Sequence, residues 1–167
     1  MKKVLVRKIE KENLIFGRYV QDWCKLPYPN HPKGCPNYGK RKNCPPNVPL
    51  IDKIIAPPYI LVAIKFNLKE HMKKMKKKHP KWTDKKLRCI LYWQKKVDKI
   101  LKEESKKIAS SIVNSYIIYK PEAYGVNIFA TVRKLGLRLE KNPEIVWKIS
   151  IIGIKKQMQP HTKVGGL

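Results

Sequence analysis

Three of the chain's four cysteines stand close together, at Cys24, Cys35 and Cys44 of the string WCKLPYPNHPKGCPNYGKRKNCPP, residues 23–46. Thiolates are soft donors, and three in one loop predict a zinc ion or a [4Fe–4S] cluster. The same stretch holds six prolines and two glycines and shows no helical or strand period. So long an irregular segment has little to bury, and ordering it costs on the order of 1–2 kcal/mol per residue. A bound metal contributes folding free energy directly, which is the second reason to expect one. Three buried, unreactive cysteines are the plainer alternative, but Pro, Lys and Asn neighbours do not make an apolar pocket.

The spacing is Cys-x10-Cys-x8-Cys, without the close C-x2-4-C pair of zinc ribbons. Pro follows Cys at Cys35-Pro36 and Cys44-Pro45, a pairing also found around iron–sulfur clusters. Tyr38-Gly39 is expected to make the turn that aims Cys35 and Cys44 at one point, with Gly39 at positive φ. Two residues are candidate fourth ligands, Cys89 and His31. Cys89 falls in a Lys-rich helical pattern beside Trp93, where a half-buried thiol is the simple reading. A cluster with three thiolates and one open iron would need neither residue and could act as a Lewis acid.

The string GCPNYGKRKNCPPNVP resembles a functionally uncharacterised family of predicted metal-binding proteins of archaea and anaerobic bacteria. The matching positions are Cys24, Cys35, Tyr38, Gly39, Cys44, Pro45 and Pro46. The strand YILVAIKF that follows, and KPEAYGVNIFATVRKLGL with Pro121, Glu122, Ala123 and Gly125, also resemble family segments. The resemblance spans most of the chain and implies a metal centre on the loop cysteines. One departure stands out. Family members commonly carry a second, ferredoxin-like cysteine run, whereas residues 86–120 here hold only Cys89.

The second chemical feature is charge. Lys and Arg number 38 against 12 acids, a formal net charge of +26. A Lys-rich genome or a thermophilic bias would account for lysine, but should raise the acids too. Such a field predicts a polyanionic partner, with RNA first and an anionic membrane surface second. Residues 69–88 hold ten Lys or Arg, with Trp82 among them and Tyr92 and Trp93 close behind. The expected contacts are Lys40, Arg41 and Lys42 of the loop with Lys73, Lys74, Lys76, Lys77, Lys78, Lys81, Trp82, Lys85, Lys86 and Arg88. Lys dominates over Arg, which suits phosphate and shape recognition of ribosomal or transfer RNA more than base reading. Trp82 could stack on an unpaired base, or pack with Trp93 in the core.

No P-loop, GxGxxG or HExxH string occurs, and acids are too few for a paired-carboxylate site. Two classes therefore stay open: an RNA-binding, ribosome-associated protein with a metal centre, or an iron–sulfur-dependent enzyme acting on RNA or in sulfur metabolism. The short, charged N-terminal run does not read as a signal peptide, which predicts a reducing, cytoplasmic setting with free thiols. No stretch approaches a membrane span.

These residues must be positioned by a small frame. Residues 4–9, 14–20, 59–66, 116–119 and 145–154 read as strands or extended segments. Residues 48–55, 68–78, 83–114 and 122–139 read as helices, with Thr83 an N-cap and His79-Pro80 and Asn142-Pro143 as breaks. The predicted architecture is α+β, a mixed α/β sandwich with a short central sheet, two or three helices and an irregular cysteine loop. It forms one domain over 1–154, and residues 155–167 form a flexible basic tail.

Overall fold

Residues 61–64, apolar without interruption, lie fully buried at the middle of a sheet covered on both faces. The computed structural model describes residues 3–27, 31–140 and 143–157. In chain order the elements are β1 (Lys3–Ile9), α1 (Arg18–Asp22), α2 (Ile51–Ile54), β2 (Ile55–Asn67), α3 (Leu68–Lys78), α4 (Asp84–Leu87), α5 (Gln94–Ala109), β3 (Ser115–Ile118), α6 (Ile128–Lys134) and β4 (Ile145–Lys155). The strands pair antiparallel in the order β1-β2-β4-β3. This is the expected α+β class.

Strand alternation divides the core in two. Leu61, Ala63, Ile149 and Ile151 face a layer of Leu14, Ile51, Val126, Ile128 and Val132. Val62, Ile64 and Ile152 face Leu68, Trp93, Val97 and Leu101. On that second face Ser150 and Ser105 bring small side chains together, their hydroxyls 2.7 Å apart. Ser105 also donates to Leu101 O at 2.6 Å, so the buried pair has an acceptor as well as a partner.

Several elements differ from the sequence reading. Residues 14–20 are not a strand: Phe16 makes one bridge to Val126, and α1 begins at Arg18. The expected helix over 83–114 is broken. Thr83 does cap α4, accepting the Lys86 N–H, but Ile90–Tyr92 form a 3-10 turn before α5. Leu87 and Trp93 are both buried, yet six residues of continuous helix would set them about 120° apart. The break lets Trp93 stack on Phe66 at 4.8 Å and turns Leu91 out to 79% exposure. The helix expected over 122–139 is likewise shorter. Gly125, at φ +79°, ends a 3-10 turn over Pro121–Tyr124, and Asn127 then caps α6 by accepting the Ala130 N–H.

A proline pair commonly closes a helix, and Pro57-Pro58 would close the one read over 48–55, but they lie inside β2. Between Ala56, opposite Ile154, and Ile60, opposite Ile152, the ladder skips, and Gly153 alone faces the three intervening residues. Prolines cannot donate, so they fit where pairing is lost at a bulge. β4 runs on to Lys155, one residue into the expected tail. Residues 158–167 of that tail, and Asn142 of the expected turn, lie outside the described residues.

The bulge sets a sharp constraint on Gly153. A Cβ there would stand 2.8 Å from Ile55 Cδ1 and 2.9 Å from Ala56 O, a backbone atom that cannot step aside. Gly153→Ala is expected to lower stability by about 1–3 kcal/mol through overpacking. Urea denaturation is the measurement, and an unchanged midpoint would show that β2 relaxes freely at the bulge.

Candidate metal centre and basic surface

The cysteine loop leaves the frame after α1 and returns to it before α2. Both ends are fastened by one buried amide: Gln21 Nε2 donates to Val48 O at 3.0 Å and to Ala123 O at 2.9 Å. Beside it Gly17 N donates to Gly125 O at 2.8 Å. Gly125 packs so closely on Leu50 and Gly17 that a Cβ would meet them at 2.5 and 2.8 Å. Thus the Pro-Glu-Ala-Tyr-Gly segment, about eighty residues from the loop's last cysteine, sits directly against the loop's base.

Within the loop, successive turns link the cysteines through the backbone. Cys24 lies in a 3-10 turn, Trp23–Lys25, and its carbonyl accepts from Cys35 N at 2.7 Å. Gly34 allows that approach. Its φ is +80°, and a Cβ would fall 2.6 Å from Cys24 O. Tyr38 N then donates to Cys35 O, and Gly39, at φ +71°, donates to Pro45 O at 2.8 Å. The Tyr38-Gly39 turn therefore closes back onto the residue after Cys44, and Gly39 has the positive φ expected of it. Cys44 N donates to Arg41 O at 3.1 Å. The loop is ordered by these turns as well as by its buried Gly34, Pro45 and Val48.

All four cysteines are free thiols, each half-buried. The Cys24 thiol is pushed above its ordinary pKa, first by burial, then by Cys35 and Cys44, and then by Glu122. The charges of Cys35, Cys44 and Glu122 thus reach the Cys24 thiol. Among the described residues, no three His, Cys, Asp or Glu side chains are gathered tightly enough to hold one ion. The donor set nonetheless fits a soft cation. Thiolates that share one site repel one another, and a bound cation removes that cost. Cys24, Cys35 and Cys44 would hold it, and it would supply a structural link or, with an open position, Lewis acidity.

Of the two candidate fourth ligands, His31 lines the same cavity as Cys24 and Cys35. Cys89 does not join them. It precedes the 3-10 turn between α4 and α5, whose neighbour Trp93 packs on the opposite sheet face. The cavity at the cysteines is about 460 Å³ and is bordered by Lys25, Lys33, Lys40 and Tyr38. Lys25 is steadied by Asp22 at 2.6 Å, and its ammonium lies 5.3 Å from the Tyr38 ring centroid.

Glu122 marks a second hollow, of about 260 Å³, together with Lys120, Trp147 and Lys148. Desolvation by nearby protein pushes its carboxyl pKa upward, its own backbone N–H pulls it down, and Lys148 and Lys120 pull the same way. The residue as a whole remains exposed, so water moderates the shift. In the sequence Glu122 stands out only as part of the Pro-Glu-Ala segment. What sequence reasoning missed is that the 3-10 turn carries this carboxyl toward Cys24.

The expected nucleic-acid contacts divide into two groups. Lys40, Arg41 and Lys42 are exposed on the loop, while the others lie on α3, α4 and the turn between them. The loop precedes β2 and α3 follows it, so the groups start from opposite ends of roughly 40 Å of strand. Within the second group Lys73, Lys77, Lys78, Lys81 and Lys85 are exposed. Lys74 pairs with Glu70 at 2.7 Å, and Lys76 donates to Trp82 O at 2.9 Å. Arg88, half-buried, donates to Pro143 O. Trp82 is half-buried among ring and lysine neighbours. His79 stacks on it at 4.1 Å, Tyr92 lies at 4.7 Å, and the Lys86 ammonium sits 4.6 Å from its centroid. Trp93 packs in the core. Among the described residues no helix is long and apolar enough to cross a membrane.

The Gln21 amide yields a direct test. Gln21→Leu strands two buried carbonyls, each costing about 1–3 kcal/mol. The variant is expected to be cut by a nonspecific protease within residues 23–46 well before the rest of the chain. Uniform resistance equal to that of the parent protein would show that the loop is fastened elsewhere.

Comparison with known proteins finds no matching family model, no similar curated protein and no matching solved structure.

Proposed function

We propose that the protein binds structured RNA, ribosomal or transfer RNA, through its phosphate backbone, and that its cysteine loop holds a zinc ion or a [4Fe–4S] cluster on Cys24, Cys35 and Cys44. The observation that carries the RNA reading is the charge: 38 cations against 12 acids, with Lys73, Lys77, Lys78 and Lys81 exposed along one segment. Lysine-rich contact to phosphates is driven by counterion release. A cytoplasmic location goes with this reading. With roughly six phosphate contacts, affinity should fall on the order of 10³-fold between 50 and 200 mM salt. Filter binding of a transfer RNA at the two salt concentrations measures it. Affinity that ignores salt, or no retention at either concentration, would refute the reading.

The metal reading is supported by the backbone ties among the three cysteines and by the charge that Cys35 and Cys44 exert on Cys24. Cys24→Ser, Cys35→Ser and Cys44→Ser should each lower the metal content of anaerobically purified protein, and Cys89→Ser should leave it unchanged. Elemental analysis with sulfide assay reads the result. Iron with sulfide in a brown protein identifies the cluster, and about one zinc per chain in a colourless protein identifies a structural ion. Equal metal in all four variants would remove the site from these cysteines.

One observation favours a second reading, an iron–sulfur-dependent enzyme acting on RNA or in sulfur metabolism. A purely structural ion needs no space beside it, yet Cys24 and Cys35 border a cavity of about 460 Å³ rimmed by lysines. In that reading Lys25, Lys33 and Lys40 would orient an anionic substrate there.

A further inference from the structure

We infer that the cleft between α3 and α5 is a nucleotide pocket that takes one aromatic base together with its phosphate. It deepens the RNA reading by naming where an unpaired nucleotide would sit, and it rests on that reading for the nucleotide's source. A free mononucleotide carries the same chemistry.

The cleft, about 520 Å³, is the right size for such a ligand. Its floor is aromatic: Phe66 and Trp93 stack at 4.8 Å with their planes 17° apart. Val97 and Ile100 continue that apolar floor. Tyr92 stands at the rim, 45% exposed, braced at 4.7 Å by Trp82. Trp93 is almost wholly covered, so the π-surface offered to a flat base is that of Tyr92 and the half-buried Phe66. The rim is cationic. Lys96 is exposed on α5, and Lys74 on α3 is held in place by Glu70 at 2.7 Å. Two ammonium groups beside an aromatic floor suit a phosphate joined to a ring better than either part alone.

His71 adds direction. Its ring lies 5.6 Å from Phe66, and its Nε2 is buried with no hydrogen-bond partner among the described residues. Burial lowers its pKa and keeps the ring neutral. A buried nitrogen without a partner is costly, and a small turn of the His71 ring at the cleft wall would bring it to the polar edge of a base. The cleft faces away from the cysteine loop, since its core residues belong to the opposite sheet face. It is therefore separate from the metal centre.

The test uses the full chain at low salt and calorimetric titration with AMP, ribose 5-phosphate, hexauridylate and a short RNA duplex. AMP and hexauridylate should bind saturably, with ribose 5-phosphate at least about tenfold weaker because it lacks the base. Lys96→Glu and Tyr92→Ala, both at solvent-exposed positions, should each weaken AMP and hexauridylate by about tenfold. Lys102→Glu makes the same charge change on α5 outside the cleft and should leave AMP binding alone. The pocket is overturned if AMP and hexauridylate fail to bind, or if Lys96→Glu and Lys102→Glu weaken them equally. Duplex binding that persists in that case leaves the general RNA reading standing. AMP binding that depends on Lys96 and Tyr92, without any RNA binding, keeps the pocket for a free mononucleotide and removes the RNA reading.

Discussion

The β2–β4 pair is apolar on both faces, and covering both faces at once is the constraint from which the other elements follow. Each fully buried Leu or Ile contributes roughly 1.5–3 kcal/mol when removed from water, so neither face can be left open. α3 and α5 close one side. The other is closed by α2, α6 and the strap over residues 14–17, which Thr131 binds to α6 by accepting the Ile15 N–H at 3.1 Å. The cysteine loop is an excursion between two pieces of that second cover. Its position is therefore set by packing that has nothing to do with cysteine.

The electrostatic setting of the loop follows from the same placement. Its thiols are half-buried and close to Glu122, within a chain whose surface is overwhelmingly cationic. Burial alone favours neutral thiols, and neighbouring thiolates favour them further. Deprotonation becomes favourable where a cation shares the site. The backbone turns through Gly34 and Gly39 fix where the cysteines start, leaving the side chains to complete any ligation.

Much of this was legible in the residues. The strands over 59–66 and 145–154, the Thr83 cap, the stop at His79 and the Gly39 turn all rest on local chemistry, and the structure has them. The failures share a cause. Residues 83–114 have helical propensity throughout, but burial of both Leu87 and Trp93 goes with a break that no local preference announces. Residues 14–20 are rich in residue types that favour strands, yet Gly17 is consumed by its contact with Gly125, far away in sequence. Pro57-Pro58 read as punctuation because a bulge is visible only when the partner strand, with Gly153, is known. At the site, the cysteine and Pro-Glu-Ala segments stood out separately. Their union through Gln21 did not, because a lone glutamine in a polar stretch carries no signal of burial.

The sheet ends in two edges, and they are treated differently. β3 is only four residues long, too short to template another strand. β1 is longer, and Val6 is 40% exposed on it, a surface on which a second copy could add. Arg7 and Lys8 are exposed along the same strand. Edge-to-edge pairing would bring these cations against their counterparts on the second copy. Like charges directly opposed across strands are destabilising, so the lysine-rich composition also acts as a guard against self-association. A further strand at this edge would have to overcome that repulsion.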